Sequence, residues 1–143
     1  MPLLIPADLS THLYAEIITE ITRGDTSIAT QAIEAAEKEA KMYLGRYDLA
    51  ALFGTDADAP TVTDAYLKSI VKDIACWQLL RLSNAGPGQA AYRALYENAI
   101  ASLKDIMAGL ATPEGWPYAI PPAITTDGDT VSWSSNDKRN NYY

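Results

Sequence analysis

The chain has 143 residues, with 11 Lys and Arg against 18 Asp and Glu, for a net charge of −7. An apolar fraction of 48% gives material for one hydrophobic core that needs no metal to fold, and the single cysteine, Cys76, excludes an intramolecular disulfide. The acidic balance excludes broad non-specific DNA binding, which needs clustered Lys and Arg, and no run approaches the roughly 18 apolar residues of a membrane span.

The opening MPLLIPADLS has neither the basic region nor the apolar length of a leader peptide. The expected setting is therefore a cytoplasm, or something larger assembled there. A first helix is predicted from about Ala7 to Arg23. Pro6 suits its first turn, where a missing N–H costs nothing. Leu9, Leu13, Ile17 and Ile21 mark one apolar face at four-residue spacing, and Gly24 ends it.

A second helix is predicted from about Ser27 to Leu44, with Asp25, Thr26 and Ser27 as candidate caps. Ala29, Ile33, Ala36, Ala40 and Tyr43 form a narrow stripe of mostly small residues, which lets another helix approach closely. Glu34 with Lys38 and Glu37 with Lys41 are i,i+4 pairs in the favourable order, so this acidic side reads as a solvated face. Gly45 stops the helix. The stretch from Gly45 to Gly54 reads as a turn plus a short helical segment whose Tyr47, Leu49, Leu52 and Phe53 plug into the core. Residues 55–62 read as a polar loop.

A third helix, from about Thr63 to Leu82, has Thr63 as its expected cap and a wide apolar face from Leu67 to Leu82. That width marks the most buried helix of the set. The turn SNAGPG then joins it to a fourth helix, from about Pro87 or Gln89 to Leu110, in an antiparallel hairpin. The expected fold class is all-α: a four-helix antiparallel bundle with a short extra helical segment and an extended C-terminal tail. Residues 1–112 form the helical domain and 113–143 the tail.

Pro113, Pro117, Pro121 and Pro122 bar a helix from the tail, and DGDTVSWSS carries a signal for a strand or short β-hairpin. Trp116, Trp133, Tyr118, Tyr142 and Tyr143 give the tail more large aromatics than a solvated segment carries. They need apolar surface, on this subunit or on another. Extended segments add readily to the surfaces of other chains. The expected partner-contacting residues are Trp116, Trp133, Arg139, Tyr142 and Tyr143, while Arg46 and Tyr47 brace the helices.

Recognisable catalytic chemistry is missing. A metal site needs clustered ligands, and His12 and Cys76, each the only residue of its type, lie far apart in the sequence. His12 reads as a surface residue, and Cys76 as a small core residue between Ala75 and Trp77. Trp77 and Tyr92 read as core. Gly86-Pro87-Gly88 lacks the preceding strand and following Lys of a phosphate loop. No cofactor and no enzymatic activity are expected.

Four stretches carry a family resemblance: ADLSTHL, AIEAAEKEAKMYLGRYDLAALF, DAYLKSIVKDIACWQLLRL and AAYRALYENAIASLKDIMAGL. Their order over residues 5–112 resembles the Mu-like prophage protein family of phage morphogenesis clusters. That family is similar in plan to head–tail connector, or adaptor, proteins of tailed phages. Arg46-Tyr47 after Tyr43-Leu44-Gly45 is the sharpest piece, and the closing SSNDKRNNYY is similar to the family's ending. The family often has a proline after Arg-Tyr, where this chain has Ala50-Ala51.

The resemblance implies a structural subunit of a virion, assembled in a bacterial host's cytoplasm. It would form a homo-oligomeric ring between portal and tail proteins. DNA would pass through that ring without sequence-specific binding, and no membrane is involved. The other expectation is a small acidic helical binding or inhibitor protein, which neighbouring genes distinguish: portal, capsid and tail genes against a toxin, nuclease or regulator.

Overall fold

The structure is a computed structural model that describes residues 2–82 and 89–120. The fold is all-α. A 3₁₀ helix spans Pro6–Thr11, followed by α1 (Ala15–Thr22), α2 (Thr26–Tyr43), the short α3 (Leu49–Phe53), α4 (Ala65–Leu80) and α5 (Gln89–Ala108). Among the described residues there is no strand; an isolated antiparallel bridge joins Tyr47 to Tyr118.

The three long helices pack on one another, with α2 against α4, α4 against α5 and α2 against α5. The small face of α2 makes this possible: Ala36 and Ala40 are fully buried, so the α4 backbone comes close. The apolar face of α4 is the widest, burying Leu67, Ile70, Val71, Ile74, Ala75, Cys76, Leu79 and Leu80. Gln89 Nε2 donates to the Leu80 carbonyl at 3.2 Å and Trp77 stacks on Tyr96, which sets α5 antiparallel to α4. The turn between them, at residues 83–88, lies outside the described residues.

The single first helix expected over residues 7–23 is instead two elements. The Ser10 and Thr11 hydroxyls donate to the carbonyls of Ala7 and Asp8, at 2.8 and 3.0 Å. Side-chain bonds of this kind compete with helix continuation, and the chain turns at His12–Tyr14 before α1 begins. The break lets Leu3, Leu4, Leu9 and Leu13 all enter the core. α1 ends with Arg23 itself left-handed, at φ 54°. Its N–H and that of Gly24 reach back to the Glu20 and Thr19 carbonyls.

Aspartates cap the later helices. Asp25 Oδ1 accepts from Ser27 N at 2.9 Å, and Asp48 Oδ1 from Ala51 N at 3.1 Å. The cap of α4 is Asp64 and not the expected Thr63: its Oδ1 accepts from Tyr66 N at 2.7 Å and from Leu67 N at 3.2 Å. The short helical segment after Arg46 forms as α3 even without the family's proline, burying Leu52 and Phe53.

α5 ends in a Schellman turn. Leu110 N bonds the Asp105 carbonyl and Gly109 N the Ile106 carbonyl, with Gly109 at φ 79°. A Cβ on Gly109 would stand 3.3 Å from Arg46 Nη1. Gly109→Ala is therefore expected to lower stability by about 1–2 kcal/mol, the cost of a left-handed L-residue. Equilibrium urea unfolding checks this; an unchanged midpoint would contradict it.

Candidate functional site

The residues singled out by the sequence fall in two places. Arg46, Tyr47 and Trp116 meet where α2 ends, α5 ends and the chain turns back over both. Residues 117–119 run antiparallel to 46–48: Asp48 N donates to the Pro117 carbonyl, and Ala119 N to the Arg46 carbonyl, both at 2.9 Å. Tyr47 is buried, stacks on Tyr118 at 5.1 Å and meets Trp116 edge-on at 5.5 Å. Burial pushes the Tyr47 phenol above its ordinary pKa. Trp133, Arg139, Tyr142 and Tyr143, with the expected β-hairpin, lie outside the described residues.

Trp116, expected as a partner contact, is committed to its own subunit instead. It is 5% exposed, and its indole N–H donates to Asp64 Oδ2. The physical reason is the turn at Gly115, at φ 79°, which folds residues 113–119 back onto the body. Asp64 thus clasps three N–H groups: two at the start of α4 and one from the C-terminal segment.

Several apolar side chains are exposed at this end, beside the exposed Arg46 and Glu114. Leu110 is 80% exposed, Ile120 89% and Tyr118 60%, while the Arg46 side chain lies beside Gly109. Isolated exposed apolar residues need no explanation; these three lie on segments that the Arg46 and Tyr47 contacts bring to the same end of the body. A sequence pattern could not show this convergence, because Tyr47, Leu110 and Tyr118 come from three separate segments.

The acidic face of α2 is not simply solvated. Glu37 is 7% exposed, and its Oε1 accepts from Leu3 N at 3.1 Å. Burial raises its pKa against the opposing pull of Lys41, whose ammonium lies 5.1 Å over the Phe53 ring. Glu39 accepts from the Tyr96 hydroxyl at 2.6 Å and from Gln78 Nε2 at 3.4 Å. That hydrogen bond and burial push the Tyr96 phenol up to about 12. These carboxylates bind the N-terminal segment and α5 to α2. Trp77 and Tyr92 are half-buried; Tyr92 packs against the core, and Trp77 stacks on Tyr96.

A raised carboxyl pKa means the folded state takes up a proton more readily than the unfolded chain. Charged Glu37 therefore costs stability above its folded pKa, and that cost disappears as pH falls through it and below the unfolded value. Glu37→Gln, which keeps an oxygen for Leu3 N, is expected to raise the Tm at pH 7. The gain should shrink towards zero below pH 4. A lower Tm at pH 7 would show that the charge is net favourable.

His12 is half-buried, not a free surface residue. Its Nδ1 lies 2.8 Å from Thr11 Oγ1, which also accepts from Lys72 Nζ at 3.0 Å. Its Nε2 faces Ser69 Oγ at 3.2 Å and Asp73 Oδ1 at 3.8 Å. The Thr11 hydroxyl already donates to Asp8, so hydrogen-bond satisfaction assigns the proton of neutral His12 to Nδ1, with Nε2 accepting from Ser69. A Ser–His–Asp triad needs the carboxylate on one ring nitrogen and the serine on the other. Here both face Nε2, so the cluster ties the 3₁₀ helix to α4 and lacks triad geometry. Burial drives the Cys76 thiol up to about 12, far from a thiolate nucleophile.

Among the described residues no group of three or more His, Cys, Asp or Glu converges as a metal site would require. None of their helices is long and apolar enough to cross a membrane. One groove of about 800 Å³ runs between the N-terminal segment, α2 and the end of α3. Its lining includes Ile5, Ile33, Glu34, Glu37, Lys41 and Phe53.

A family model described as Bacteriophage Mu, Gp36 matches residues 6–115. Neither the curated proteins nor the solved structures compared with this chain give a match.

Proposed function

The chain belongs to the family described as Bacteriophage Mu, Gp36, and from that membership we propose that it is a structural subunit of a phage or prophage head–tail connector. In this reading, copies form a ring between portal and tail. The observation that carries it is the exposed apolar end at Leu110, Tyr118 and Ile120, on a body whose buried polar side chains are all hydrogen-bonded among the described residues. A subunit of this kind works by fitting other protein surfaces. Head-to-tail contacts between identical subunits close into a ring when the rotation between them fits.

The negative charge suits a channel that DNA traverses. An acidic wall repels the phosphate backbone weakly, over a screening length of about 10 Å at 0.1 M salt, so DNA slides without adhering. Aromatic anchors provide most of the energy in interfaces of this sort. Trp133, Tyr142 and Tyr143 are proposed for that role, with Arg139; Trp116 is not.

Particles from the source phage or prophage provide the test. Mass spectrometry should find the chain in purified virions, and electron microscopy should place it between portal and tail. Virions that lack the chain, or a gene set in which a toxin or regulator neighbours it, would favour the inhibitor reading. Substituting Trp133, Tyr142 and Tyr143 by Ser together should leave the unfolding transition in place while abolishing incorporation into particles. Normal incorporation of that variant would remove the tail from the interface.

A further inference from the structure

His12 is the chain's single histidine, and its hydrogen-bond network has room for one more proton. Thr11 Oγ1 donates to the Asp8 carbonyl and accepts from Lys72 Nζ, both at 3.0 Å, and lies 2.8 Å from His12 Nδ1. That hydroxyl has no second proton to give, so Nδ1 carries one in either charge state of the ring. Another proton can enter only at Nε2. There it meets Ser69 Oγ at 3.2 Å and Asp73 Oδ1 at 3.8 Å, with the His12 and Asp73 side chains 25% and 20% exposed. While the ring is neutral, Nε2 and Oδ1 are two acceptors facing each other and make no bond. Once the ring is protonated, Nε2–H and Asp73 are a charged donor and acceptor, and about 1 Å of side-chain adjustment brings them to full hydrogen-bond length.

The surrounding charges single out this pair. α1, α2 and α4 all pack against the 3₁₀ helix. α4 brings Asp73, and also the Lys72 ammonium, which reaches the ring through Thr11. α2 brings Glu37, whose carboxylate accepts from Leu3 N, and α1 brings the exposed Glu16 and Glu20. Within the 3₁₀ helix itself, the Asp8 carboxylate accepts from Ile5 N at 2.9 Å. Asp73 is thus the carboxylate aimed at the ring, and Lys72 the cation that opposes its effect.

We propose that His12 and Asp73 form a proton-operated clasp, which fastens the N-terminal segment to α4 more tightly when the imidazole is charged. That segment supplies Leu3, Leu4, Leu9 and Leu13 to the core, so the clasp controls how firmly one side of the core is closed. Histidine is the side chain that ordinarily changes charge between pH 5 and 8. The pair exists where the imidazole is protonated and the carboxylate ionised. Its contribution is lost as pH rises through the imidazole's titration, and again as pH falls through the carboxyl's. Burial raises the Asp73 carboxyl pKa against the pull of His12, which puts the acid edge above that of an ordinary aspartate. The clasp does not depend on the connector reading.

The test is a pH titration of the full chain by NMR, in which a single histidine gives a single imidazole curve. Asp73→Asn, which keeps the side chain's shape, should move the midpoint of that curve to lower pH, and Lys72→Met should move it to higher pH. In the unaltered protein the Asp73 carboxyl carbon should shift at the imidazole's midpoint. The His12 and Leu13 N–H groups both bond the Leu9 carbonyl. Their protection from hydrogen exchange, corrected for intrinsic rates, should be about threefold higher on the acid side of the midpoint, as expected of a partly exposed ion pair. Asp73→Asn should abolish that difference. A midpoint that neither substitution moves, an Asp73 carbon that ignores the imidazole, or equal protection on the two sides would each overturn the clasp.

Discussion

Trp116→Ala is expected to destabilise the subunit by about 3–5 kcal/mol, in the range for truncating a buried Trp. The side chain is 5% exposed, edge-on to Tyr47 and bonded to Asp64. Replacement leaves a large cavity beneath the segment that closes over residues 46–48, and removes the partner of one Asp64 oxygen. For a chain of this length, 1 kcal/mol corresponds to roughly 3–4 °C in Tm, so thermal unfolding should show a fall of about 10 °C or more. A shift under 3 °C would mean that Trp116 is peripheral. One consequence concerns assembly. Deleting 113–143 removes Trp116 from the core together with the tail, so such a deletion confounds loss of folding with loss of a partner contact. Substitutions at Trp133, Tyr142 and Tyr143 avoid that confusion.

Asp64→Ala is expected to cost about 2–4 kcal/mol: about 1 for the lost cap on α4 and about 1–3 for a buried indole N–H left without an acceptor. The two parts separate in a double-mutant cycle. Trp116→Phe removes the indole N–H, so in that background Asp64→Ala should cost only the cap. The difference between backgrounds, read from urea unfolding at pH 7, measures the coupling. Equal costs in both backgrounds would show that the indole contact contributes nothing. Asp64→Ser should recover most of the cap contribution, because a Ser hydroxyl serves α4 almost as well, without restoring the indole bond.

The helices were readable because their signals are local. Four-residue spacing places α2, α4 and α5 within about two residues of their observed ends. Gly109 stands where the sequence ends the last helix, and a left-handed residue there follows from its lack of a Cβ. The break in the first helix was less visible. Leu9, Leu13, Ile17 and Ile21 keep a helical period across it, yet the Ser10 and Thr11 hydroxyls bond backbone carbonyls locally and the chain turns. The choice between Thr63 and Asp64 as a cap was equally close in sequence. Asp64 has two oxygens, and a distant Trp116 uses the second.

The sequence by itself determined the helical class, the positions of the long helices, the prolines that bar a helix after residue 112, and the landmarks of a phage protein family. Each rests on neighbours within a turn or two, where backbone geometry fixes which side chains share a face. Tertiary structure alone decided that Glu37 is buried under Leu3, that Glu39 holds Tyr96, and that Trp116 belongs to the core. A helical period shows that two carboxylates lie on one side of a helix. Whether that side meets water or a donor depends on a segment 34 residues away for Glu37, 57 for Glu39 and 52 for the Trp116–Asp64 bond. Only the fold brings such partners within hydrogen-bonding distance.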